Sequence, residues 1–143
     1  MRQINRIIIH CSDSHFGDVL AIDRWHKQRG WSGVGYHYVI PNGIIKARDR
    51  YNPSKDGIVQ VGRKIERSGA HCKGQNGDSI GICIIGKQHF TSQQLIALRG
   101  LLRTQMKRYG VGAENVRAHY EFDNHKSCPN IDAGLIRDLV RQE

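Results

Sequence analysis

Apolar residues follow two periods along this chain. An isoleucine triplet lies between polar flanks from Arg6 to His10 and predicts a short buried strand, with His10 at its C-terminal end. Between Asp18 and Arg29, Val19, Ile22 and Trp25 recur at helical spacing. Asp18 reads as the N-cap of that helix and Gly30 as its stop. GYHYVI predicts a strand, Pro41-Asn42-Gly43 a turn leading into IIKAR, and Asn52-Pro53 a loop before GIVQVGR. SIGICII reads as a second buried strand after a glycine-rich stretch, Ser68 to Asp78, with little periodicity. Thr91 and Gln94 make a capping-box pattern for a long helix ending before Gly110, with Leu95, Leu98, Leu102 and Met106 as its stripe. Arg117 to Tyr120 is the expected last strand and Asp132 to Arg141 the terminal helix. The mixture predicts an α/β (mixed α+β) fold, a central sheet flanked by helices in one domain spanning 1–143.

Composition changes this picture little. The chain has 143 residues, 38% hydrophobic and 24% charged, which suits one ordinary globular core. No apolar run approaches the roughly 20 residues that span a bilayer. The opening MRQINRIIIHCSDS is too short in apolar residues for a secretory signal, so synthesis in the cytoplasm is expected. The four cysteines are then expected reduced, leaving Cys128 free to bind metal. A net charge of +9 favours polyanions such as nucleic acid, a membrane surface or an anionic cell wall. The 22 basic residues are spread along the chain, so charge does not choose among them. Arg99, Arg103 and Lys107 form a basic stripe that reads as the solvated edge of an amphipathic helix. Stable nucleic-acid binding and membrane insertion are not expected, and a monomer is.

Candidate chemistry concentrates at the two ends of the chain, in RIIIHCS and AHYEFDNHKSCP. His10, His119 and Cys128 would make three ligands for a tetrahedral zinc with one position left for water. Spacing alone leaves this open. His10 could cap a strand, His119 could be a surface histidine, and Cys128 could be a small buried apolar residue. Strand alternation puts His10 and Cys11 on opposite faces, so those two are not expected to share an ion. There is no HExxH glutamate. Glu121, two residues after His119, could serve as base, orient that ligand, or simply be exposed.

Here whole strings matter more than spacing. IIIHCS, AIDRWHKQRGW, GVGYHYVI, DGIVQVGR, GAHCKGQNGDSIGICIIG, RAHYEF and HKSCPNID resemble, in order, the zinc-dependent type 2 N-acetylmuramoyl-L-alanine amidases. Small phage endolysins of this kind and the peptidoglycan recognition proteins are part of that likeness. The resemblance implies one Zn2+ held by the positions matching His10, His119 and Cys128, and catalytic roles for Tyr36 and Lys126. It also implies a place in the cleft for His71, in contact with substrate or assisting proton transfer. Without it, Tyr36 would read as a core aromatic and Lys126 as a solvated loop lysine. Asn76 and Ser79 would shape the loop.

The implied activity is cleavage of the amide between N-acetylmuramic acid and the first L-alanine of the peptidoglycan stem. A phage or prophage lytic enzyme would lack its own wall-binding domain and would reach the wall after another protein opens the membrane. Other readings are a silent peptidoglycan-binding module and a cysteine hydrolase with Cys128 as nucleophile and His119 as base. Some similar phage amidases also inhibit a viral RNA polymerase, although no motif for such a partner can be read here. One departure is visible. PNGIIKARDRYNPSK adds residues where simpler phage enzymes are shorter, as a longer hairpin that could alter docking or merely decorate an edge.

Overall fold

The computed structural model describes residues 1–141. Five strands form one sheet: β1 (Arg6–Cys11), β2 (Tyr38–Ile40), β3 (Gln60–Val61), β4 (Ser79–Ile84) and β5 (Val116–Ala118). Their spatial order is β3-β2-β4-β1-β5. β1, β2, β4 and β5 run parallel, and β3 closes one edge antiparallel to β2. The helices are α1 (Val19–Gln28), α2 (Ser92–Tyr109) and α3 (Ala133–Arg141). This is the mixed α/β single domain expected, with the parallel centre covered on both faces.

Strand alternation sorts the sheet into two unequal faces. Ile7, Ile9, Cys11, Ile40, Ile80, Ile82 and Ile84 join Leu98, Leu102, Ile136 and Val140 in the larger core, under α2 and α3. Val39, Cys83 and Ile85 join Ile22, with Val19, Trp25 and Tyr36 against them, in the smaller core under α1. His10 alternates with Ile9 and Cys11, and so belongs to the α1 side. That face has fewer apolar side chains, and this is where a polar site has room.

The helix ends match the sequence reading because they depend on local hydrogen bonds. The Asp18 side chain accepts from the Ala21 amide. Thr91 and Gln94 form the full capping box, and Gly110 closes α2 in the left-handed region at φ 67°. Gln94 does more than cap. It is fully buried, and its Nε2 donates to the carbonyls of Ile40 and Ile85, joining α2 to the ends of β2 and β4.

Other boundaries need correction. The strand expected over GYHYVI is confined to Tyr38–Ile40, because the carbonyls of Gly35, Tyr36 and His37 accept from the amides of Ala70, Arg63 and Gly62, outside the named strands. IIKAR forms no strand, so the extra segment is no hairpin. An isolated bridge pairs Asn42 with Asp56 instead. Asp56 is buried and accepts from the Tyr51 hydroxyl and the Thr91 hydroxyl, both at 2.6 Å, which ties this loop to the start of α2. The last strand stops at Ala118, and His119–Glu121 is a 3-10 turn.

Candidate metal centre

β1 and β5 are adjacent and parallel, with Ile9 opposite Ala118. The next residue of each strand end is therefore a histidine, and the two imidazoles meet. His10 Nδ1 and His119 Nδ1 lie 3.1 Å apart. After His119 the chain turns back: the Tyr120 amide donates to the Cys128 carbonyl, and the Cys11 amide donates to Cys128 Sγ at 2.9 Å. Asn130, in the left-handed region at φ 62°, donates its side-chain amide to the Lys87 carbonyl and anchors the far side of this loop. Among the described residues, His10, His119 and Cys128 form the one group of potential metal donors, their ligand atoms all within 4.8 Å of one another. Cys11 is not part of it, as strand alternation predicts.

The donors suit a borderline-soft cation such as zinc. Burial holds His10 well below the ordinary imidazole pKa, with His71 and His119 adding to the effect, and burial lowers His119 as well. Both rings are therefore neutral and can present lone pairs. The neighbouring Cys11 thiol, and then burial, push the Cys128 thiol up. A cation at the shared point would reverse that preference and favour the thiolate, which the Cys11 amide already faces.

The triad sits in a cleft of about 730 Å³ that also presents Tyr36, His71 and Lys126. The Tyr36 ring centroid lies 5.0 Å from that of His10, and burial raises its phenol well above the ordinary value, so it stays protonated. Lys126 is exposed at the rim. His71 is buried, with Nδ1 2.8 Å from His10 Nε2. Asn76 and Ser79 shape its loop, as the sequence suggests: Asn76 Oδ1 accepts from the His71 and Cys72 amides. Glu121 is elsewhere. It accepts from the Ala118 amide and pairs with Arg117 and Arg137, and so is occupied in the turn and absent from the cleft lining.

No residue from 41 to 55 lines the cleft, so the extra segment does not shape it. The sequence reading overlooked another wall, built by His26, Arg29 and Trp31. The His26 and Trp31 ring centroids lie 4.5 Å apart, and the Arg29 guanidinium lies 5.7 Å from the Trp31 ring centre. The only sequence signal for this wall is an exposed tryptophan directly after the α1 stop.

The profile of the N-acetylmuramoyl-L-alanine amidases matches residues 1–131, across the whole sheet and the candidate metal centre. The chain belongs to the N-acetylmuramoyl-L-alanine amidase family. Among relatives of this amidase, the endolysin of Escherichia phage T7 is 37% identical over 137 residues, covering 88% of this chain and 80% of that protein. The solved structure of the N-acetylmuramoyl-L-alanine amidase LysC from Clostridium intestinale URNW superposes with a TM-score of 0.82 at 27% identity, covering 99% of this chain and 88% of LysC. Drosophila PGRP-LB shares the fold, with a TM-score of 0.71 at 22% identity over 90% of this chain and 76% of that one. The amidase is thus a hydrolase of the muramoyl–alanine amide, and its cleft is the place to look for that chemistry.

Proposed function

We propose that this amidase is an endolysin whose peptidoglycan hydrolysis depends on one zinc ion held by His10 Nδ1, His119 and Cys128 Sγ. The observation that carries this reading is the convergence of those three donors in a cleft that also presents a phenol and an ammonium. When bound, zinc supplies Lewis acidity toward the lactyl carbonyl and lowers the pKa of a water in the open position.

The chain's own groups then divide the remaining work. The Tyr36 phenol, kept protonated by burial, donates a hydrogen bond to the carbonyl oxygen as negative charge gathers there. The Lys126 ammonium lies two residues from Cys128, at the mouth of the cleft, and stabilises the same charge. Arg29 and Lys73 give the lining a positive character that suits the carboxylates of a peptide stem. Water adds to the lactyl carbon, the carbon–nitrogen bond breaks, and the nitrogen leaves with a proton as the L-alanine amine. The site of action in this reading is the bacterial cell wall, reached with the help of another protein.

Digestion of purified peptidoglycan, read by mass spectrometry, tests the proposal. Stem peptides beginning at L-alanine should appear, stop after chelation, and return with added zinc. Full turnover by thoroughly zinc-free protein would transfer the chemistry to Cys128 as a nucleophile instead.

A further inference from the structure

His71 takes part in a hydrogen-bonded chain that leads away from the metal donors into the sheet. His10 Nε2 meets His71 Nδ1 at 2.8 Å, and His71 Nε2 meets Ser79 Oγ at 3.3 Å. Ser79 Oγ donates its proton to the Gln75 carbonyl at 2.7 Å. That last contact orients the others. A carbonyl only accepts, so the Ser79 hydroxyl proton is committed to Gln75 and its oxygen must accept from His71 Nε2–H. A neutral imidazole carries one proton, so His71 Nδ1 is a lone pair and must accept from His10 Nε2–H. His10 Nδ1 is then left without a proton, facing His119 Nδ1 and Cys128.

We propose that His71 is a positioning residue of the metal site, reading the polarity of the Gln75 carbonyl through Ser79 and holding His10 in the tautomer that offers Nδ1 to the ion. This rests on the zinc reading above, and it adds a positioning role to the place in the cleft expected of His71 from the sequence.

Three independent features build a place for the ring. Asn76 Oδ1 accepts from the amides of both His71 and Cys72, at 2.9 and 3.0 Å, and fixes the backbone that carries it. Ser79 and Gly81 occupy alternate positions on β4 and so face the same side as the relay. A Cβ at Gly81 would lie 2.6 Å from the His71 ring carbons, so only glycine lets the imidazole lie against the sheet. Both histidines are buried, which leaves little water to compete for the His10 Nε2 proton.

Zinc affinity, measured by competition with a chromophoric chelator, tests the relay without reference to turnover. His71→Leu should weaken zinc binding by about 10- to 100-fold, the usual cost of losing a partner that orients a ligand. His71→Asn, which can return an acceptor near the Nδ1 position, should recover most of that loss. Ser79→Ala should weaken binding by a smaller factor, and its fold should survive because it removes only a hydroxyl. Cobalt substitution adds a spectroscopic check: the ligand-field bands should shift in His71→Leu and return in His71→Asn. Melting of each metal-free variant separates loss of fold from loss of ligand orientation. Unchanged zinc affinity in folded His71→Leu and Ser79→Ala overturns the relay while leaving the zinc reading intact. Equal weakening in His71→Leu and His71→Asn overturns it too, because packing would then be the cause. Failure of the unaltered protein to bind zinc removes the metal reading, and the relay with it.

Discussion

The amide of Cys11 donates to the sulfur of Cys128 at 2.9 Å, linking the last residue of β1 to a loop 117 positions further along the chain. His10 stands one residue before that amide. One strand end therefore supplies an imidazole directly and steadies the thiol that would share its ion, so the two donors cannot drift apart independently.

Cys128→Ser keeps a polar atom at that position but loses the soft thiolate. Zinc affinity should fall by at least about 100-fold and turnover with it, while the metal-free melting temperature changes little. Chelator competition alongside peptidoglycan turnover measures both. Retained zinc binding would exclude Cys128 as a ligand.

Tyr36→Phe and Lys126→Ala should each lower kcat by about 100- to 1,000-fold, the scale set by removing one donor to a developing oxyanion. Their zinc content should remain stoichiometric, because neither atom belongs to the donor group. Metal analysis beside steady-state kinetics separates these roles. Loss of metal in either variant would make the residue structural.

Gln94→Leu removes a side chain that is fully buried and serves three backbone groups. It strands the Ile85 carbonyl and the Thr91 amide, and leaves the Ile40 carbonyl with the Ile85 amide as its remaining donor. We expect a loss of roughly 2–4 kcal/mol in urea denaturation, against about 1–2 kcal/mol for Thr91→Ala, which removes the cap acceptor and the hydrogen bond to Asp56. A loss no larger than that of Thr91→Ala would show that the bridge from Gln94 to the sheet contributes little.

Acidification below neutrality should destabilise the fold through two buried histidines. Burial holds His37 down to about 4 and His26 down to about 4, with Arg29 adding to the effect at His26. Each accepts an amide hydrogen bond through Nδ1, from Gly81 and Gly35 respectively, which a protonated ring could not do. The unfolded chain binds these protons near 6.5, so between about 6.5 and 4 it holds more protons than the folded one, and stability rises with pH. Metal-free protein should therefore melt at a lower temperature at pH 5 than at pH 7. The two rings together would contribute at most a few kcal/mol. A melting temperature flat from pH 7 to 5 would contradict this.

The sequence by itself determined the elements whose causes are local. The Asp18 cap, the Thr91–Gln94 box, the Gly110 stop and the isoleucine-rich strands follow from hydrogen bonds and periodicities within a few residues. Its strings also placed the chain among the amidases and singled out His10, Tyr36, His71, His119, Lys126 and Cys128. Only the tertiary structure decided what depends on which strands become neighbours. Setting β5 beside β1 brings His119 to His10 across 109 positions, and setting β4 beside β1 aligns Ser79, His71 and His10. It also showed Glu121 occupied by two arginines and IIKAR to be a loop held through Asp56. Side-chain periodicity says which face a residue takes, whereas strand order says what it meets there, and that order comes from burying the whole sheet at once.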